Sequence, residues 1–131
     1  MKPHVSPTFL SALEKLRAVI HSLNQQNPTL RRLLERSFAQ DLEMAADAIR
    51  RIEREFDPAL AALAWGFFWI RQGDLPQARS ELEAIDRSGK TDSLWGGVAL
   101  MMLGELCLEI GETKTGARFI RRAKRILDPP L

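Results

Sequence analysis

The chain has one cysteine, Cys107, so no disulfide can form within it, and two histidines, His4 and His21, neither with a partner at metal-ligand spacing. Three valines and five threonines are too few for a protein built of strands, and no segment alternates apolar and polar residues over strand length. A glycine-rich phosphate loop is missing, because Gly96-Gly97 sits inside an apolar helical segment. The longest apolar stretch, within residues 58–70, runs for about a dozen residues, short of the ~20 needed to cross a bilayer. No apolar run resembling a secretory signal follows Lys2. Carboxylate pairs such as Glu53/Glu55 and Glu81/Glu83 lie among arginines on outward faces, where solvation accounts for them. These absences exclude a disulfide scaffold, a nucleotide-loop enzyme and a membrane span, and they leave no set of residues for catalysis. The expectation is a non-catalytic protein of a reducing cytoplasm, with no cofactor and no metal.

What is present is helical periodicity. A length of 131 residues suits one domain, and 45% apolar with 27% charged residues is ordinary for a globular chain. A net charge of +2 gives no reason to expect nucleic acid. Ser6-Pro7 and Asn27-Pro28 each pair a capping side chain with a proline tolerated at the first helical position. Between them Phe9, Leu10, Leu13, Leu16, Val19, Ile20 and Leu23 recur at helical spacing, which predicts an amphipathic helix ending near residue 24. Asn27-Pro28 opens a second helix, Asp41 caps a third, and Asp57-Pro58 opens a fourth. Pro58 to Gln72 is apolar on nearly every side, so neighbours must cover it from several directions. Gly73 suits a helix end, and Asp74 with Gln77 makes a capping box that starts a fifth helix reaching about Arg87. A sixth runs from Asp92 to Gly111 and a seventh from about 113 to 127, with Pro129-Pro130 forbidding continuation. The fold class is all-α, with about seven helices and short connections that make neighbours antiparallel.

The restarts at Gln40-Asp41, Gly73-Asp74 and Gly111-Glu112 lie 33 and 38 residues apart, and each is followed by a small residue (Ala45, Ala78, Gly116) and then a large aliphatic (Ile49, Leu82, Ile120). Trp65-Gly66-x-x-Trp69-x-x-x-Gly73 aligns with Leu103-Gly104-x-x-Cys107-x-x-x-Gly111. This pattern resembles the tetratricopeptide repeat family, in which a small residue marks the crossing of two helices in a unit of about 34 residues. The resemblance implies a short right-handed α-solenoid of stacked hairpins over residues 28–131, with units at about 28–57, 58–90 and 91–129. The first unit is degenerate, since Arg32-Leu33 and Arg36 stand where the family has Leu-Gly and an aromatic. Residues 1–27 form a tail and an added amphipathic helix.

By the same resemblance the first helix of each unit builds the concave wall, here Leu30, Leu34, Phe38, Leu60, Leu63, Phe67, Ile70, Arg71, Val98, Met101, Glu105 and Leu108. Such an apolar wall suits an amphipathic or hydrophobic protein segment, in the manner of an adaptor or a chaperone-like module. Two other occupants stay open: residues 8–24 folding back into the groove, or a second copy of the chain forming a homodimer. A second surface is the last helix, where Lys114, Arg118, Arg121, Arg122 and Arg125 make a basic stripe. It reads either as the solvated face of a terminal helix, or as a regulatory surface for an acidic partner or nucleic acid; the protein segment is the expected ligand, nucleic acid is not.

Overall fold

The computed structural model describes residues 5–128. Its elements are α1 (Pro7–Leu23), α2 (Pro28–Ser37), α3 (Leu42–Glu55), α4 (Pro58–Arg71), α5 (Leu75–Arg87), α6 (Leu94–Glu109) and α7 (Thr113–Leu127), with no strand among the described residues. His4 and Pro129-Pro130 lie outside that range.

Local chemistry sets most boundaries. The side chains of Ser6, Asn27, Asp41, Asp57 and Asp74 each accept a hydrogen bond from a backbone N–H in the first turn of the helix that follows, so each satisfies a donor that the helix leaves free. Gly73 and Gly111 take φ of 85° and 90°. Behind each glycine the next N–H turns back onto the helix, Asp74 onto the Trp69 carbonyl at 2.8 Å and Glu112 onto the Cys107 carbonyl at 2.9 Å. That left-handed ending closes α4 and α6. Two details differ from expectation. Gln77 does not complete a capping box, because the Asp74 N–H that its side chain would accept from is bonded to the Trp69 carbonyl, and its amide donates to Glu81 at 3.2 Å. The sixth helix starts at Leu94 rather than Asp92, with Ser93 as its cap accepting from Gly96 N–H at 3.0 Å.

From α2 onward each helix packs on its sequence neighbour, and α2 with α4 and α4 with α6 also touch. This places α2, α4 and α6 side by side, a pattern consistent with a helical repeat. The hairpins close where side chains are small. A Cβ on Gly104 would lie 2.9 Å from the Gly116 carbonyl oxygen, and one on Gly116 would lie 2.8 Å from that of Gly104, so the α6 and α7 backbones are in contact there. Toward the other end, a Cβ on Gly97 would meet Leu127 and Ile126, which fixes α6 and α7 as antiparallel. Ala78 is fully buried and Gly66 faces Leu82, the equivalent arrangement between α4 and α5. As its all-round apolar sequence requires, α4 is enclosed by α2, α3, α5 and α6.

One hydrophobic cluster takes buried residues from α1 through α6, with Phe119 and Leu127 of α7 packed against it. The first helix is therefore part of the same core. Its stripe of Phe9, Leu13, Leu16 and Ile20 is buried, and it packs on α6.

Candidate functional site

Ser6 fastens the start of α1. Its N–H and hydroxyl donate to the two oxygens of Glu109 at 2.8 and 2.6 Å, while the hydroxyl oxygen accepts from Phe9 N–H at 3.1 Å. Farther along, the Arg17 guanidinium stands 4.6 Å from the centre of the Phe38 ring, at the end of α2. The helix thus reaches from the end of α6 to the end of α2, across the side of the molecule where the concave wall was expected.

Most of the expected wall is closed to solvent. Leu60 and Leu63 are 0% exposed and Val98 is 2% exposed; Leu30, Leu34 and Phe67 are buried as well. Leaving such side chains in open water would cost roughly 1.5–3 kcal/mol each, and α4, which carries Leu60, Leu63 and Phe67, is enclosed by α2, α3, α5 and α6, while the α1 stripe packs on α6. Ile70, Phe38, Met101 and Glu105 remain half-buried, and Arg71 is exposed. Arg71 does not point to a ligand carboxylate, since its guanidinium donates to the Phe38 backbone carbonyl and ties α4 to the end of α2. Leu108 is 37% exposed and belongs to a different face: its side chain leans on Gly116 of α7.

Two clefts survive, one on each flank of α1. Against α2 lies a cavity of about 470 Å³ lined by Ile20, Leu34 and Phe38 together with Ala18, with Glu14, Arg17, His21, Arg31 and Glu35 around them. Asn24, buried at the closed end of α1, donates from Nδ2 to the Ile20 carbonyl at 2.7 Å and completes the lining. Phe38 is braced from below by an edge-to-face contact with Phe67, the ring centres 5.8 Å apart. Against α6 lies a cavity of about 590 Å³ in which Met101, Leu16 and Glu105 meet Pro7, Thr8, Ser11, Ala12 and Lys15. Its lining carries two hydroxyls, Thr8 and Ser11, and fewer charged groups. Of the expected groove residues, only Leu34 and Phe38 in one cleft and Met101 and Glu105 in the other line an opening.

The basic helix divides too. Arg122 is an internal tether: its guanidinium donates to Asp86 of α5 at 2.8 Å and lies 5.9 Å from the Phe119 ring. Lys114, Arg118, Arg121, Lys124 and Arg125 are exposed, and none has an ion-pair partner among the described residues.

Sequence reasoning missed a charge cluster between α5 and α7. Arg79 donates to both oxygens of Glu112 and pairs with Glu83 at 3.4 Å. Glu112 occupies the cap position of α7 yet makes no capping bond, because Arg79 has taken its carboxylate. The pairing raises the Arg79 pKa, chiefly through its hydrogen bond to Glu112. Beside it burial pushes the Cys107 thiol up, with Arg79 pulling the other way. The sequence carries no signal for it: Arg79 and Glu112 stand 33 residues apart, whereas the interval between these two hairpins is 38, and no local motif marks the pair.

Among the described residues no three His, Cys, Asp or Glu side chains are grouped to hold a metal ion, and no helix is long and apolar enough to cross a membrane. Comparison of the chain with family models, with curated proteins and with solved structures finds no match.

Proposed function

We propose that the chain is a non-catalytic interaction module of tetratricopeptide type, three hairpins forming a short right-handed α-solenoid whose inner wall is lined by its own first helix. Its ligand is an amphipathic or hydrophobic protein segment, received in the cleft between α1 and α2. The observation that carries this reading is the cavity of about 470 Å³ there, floored by Ile20, Leu34 and Phe38 and rimmed by charges of both signs. Apolar anchors of a helix, spaced three or four residues apart, would enter such a floor while the rim pairs with flanking polar groups. The role is that of an adaptor or chaperone-like module in the cytoplasm, a reducing compartment that a single buried thiol suits.

Ala18 offers the test, because it is exposed and lines the cleft without belonging to the core. Amphipathic peptides selected from a displayed library against the whole protein should lose at least tenfold in affinity on Ala18→Arg. They should keep it on Lys15→Glu, which alters the cleft against α6. Since the contact is mainly apolar, affinity should change little with salt. Peptides that bind Ala18→Arg as tightly as the unmodified chain would reject the reading.

A further inference from the structure

The outward face of α7 has a composition that its position at the end of the chain does not explain. Between Thr113 and Leu127 there are six cations and no carboxylate, and five of the cations are exposed and unpaired among the described residues. Of the nearby acidic groups, Asp86 is engaged by Arg122 and both Glu83 and Glu112 by Arg79, while Asp128, just past the end of α7, makes no ion pair among the described residues. Basic residues near a helix C-terminus favour the dipole, which accounts for Lys124 and Arg125. It does not account for Lys114 in the first turn, where the dipole opposes a positive charge. Cations three and four residues apart also repel one another.

Lys114, Arg118, Arg121 and Arg125 form one row, which by the helical rise spans about 16 Å. A nucleic acid strand presents about five phosphates over that length. The same face carries only Ala117 as an exposed apolar residue, since Phe119, Ile120, Ile126 and Leu127 turn inward. Protein interfaces are built around an apolar centre with charge at the rim, and this face has no such centre. Membrane-surface helices insert an apolar side, and that of α7 is occupied by α6. A row of guanidinium forks without an apolar centre suits a ligand that is all backbone charge.

We propose that this face binds the sugar-phosphate backbone of nucleic acid without reading sequence, independently of the α1–α2 cleft. The test is fluorescence anisotropy of a short labelled DNA duplex and of a labelled single-stranded RNA, using the full chain over a range of salt. With five phosphate contacts the slope of log K against log salt on the duplex should be about −4.5, a loss of about 500-fold between about 50 and 200 mM. Arg118→Gln/Arg121→Gln/Arg125→Gln should flatten the slope to about −2, with the circular dichroism unchanged. Arg32→Gln/Arg36→Gln, two exposed arginines on α2, should leave both slope and affinity within twofold. The proposal is overturned by absence of binding to both nucleic acids at the lowest salt, or by equal losses in the α2 and α7 variants. Binding to polyglutamate or to anionic vesicles as tight as to the duplex overturns it as well.

Discussion

Gly104 and Gly66 occupy matched places in successive hairpins but face different neighbours, and the difference sets what a methyl group would do. A Cβ on Gly104 would come within 2.6 Å of Ile120 and 2.9 Å of the Gly116 carbonyl, a backbone group that cannot step aside. On Gly66 it would meet the Met102 sulfur at 2.8 Å, the flexible end of a side chain. Alanine within a helix gains about 1 kcal/mol over glycine, and overpacking costs about 1–3 kcal/mol where nothing yields. Gly104→Ala should therefore lower the urea midpoint, while Gly66→Ala leaves stability unchanged within about 1 kcal/mol. Cys107 supplies a second expectation. Its thiol is buried and its pKa is raised in the fold, so the folded state holds the proton more tightly than the unfolded chain does. That support is complete below the unfolded thiol pKa and is lost as pH climbs toward the folded one. Urea midpoints should fall between about pH 8 and pH 10 more steeply in the unmodified chain than in Cys107→Ala. Iodoacetamide should label Cys107 only after unfolding. At this scale the sequence was informative where size alone mattered, as at Ala78 and Gly116. It could not separate Arg122, which is bound to Asp86, from Arg121, which is not, because the partner lies on another helix.

α1 shows where an element can be recognised and its seat cannot. Phe9, Leu13, Leu16 and Ile20 announce an amphipathic helix, yet an apolar stripe fits any apolar wall of suitable width. Its destination depends on Glu109 and Phe38, residues with no sequence relation to it. The helix starts were legible for the opposite reason, since a cap and the N–H it accepts lie within three residues of each other. Ser6 joins the local and distant roles. Ser6→Ala removes the cap and the hydroxyl's bond to Glu109 while the backbone N–H keeps its own, and cap loss alone costs about 1 kcal/mol. Hydrogen exchange should quicken along α1 while α4 and α6 keep their protection. Equal acceleration in all helices would mean that α1 does not open separately.

The period of about one hairpin was readable across the whole molecule because each unit repeats its own local signals. The closed groove was not, since closure depends on the first helix meeting both the first and the last hairpin. Stacked hairpins ordinarily contact only their neighbours, which lets ends unfold ahead of the middle. Here α1 bridges α2 and α6, and α6 itself touches α1, α4, α5 and α7. Met102→Ala, at a fully buried position on α6, should cost about 2–5 kcal/mol and lower one shared transition seen alike by tryptophan fluorescence and circular dichroism. Deleting residues 1–24 should make those two signals diverge.

The bond from Ser6 to Glu109 spans 103 residues. During synthesis α1 emerges long before its landing place exists, and at about 5–20 residues per second the wait is on the order of ten seconds. Through that interval only the α2 side of its seat has emerged, and the α6 side is missing. A newborn molecule is thus at its most adhesive just before the sixth helix clears the ribosome, and it becomes self-contained in a single late step.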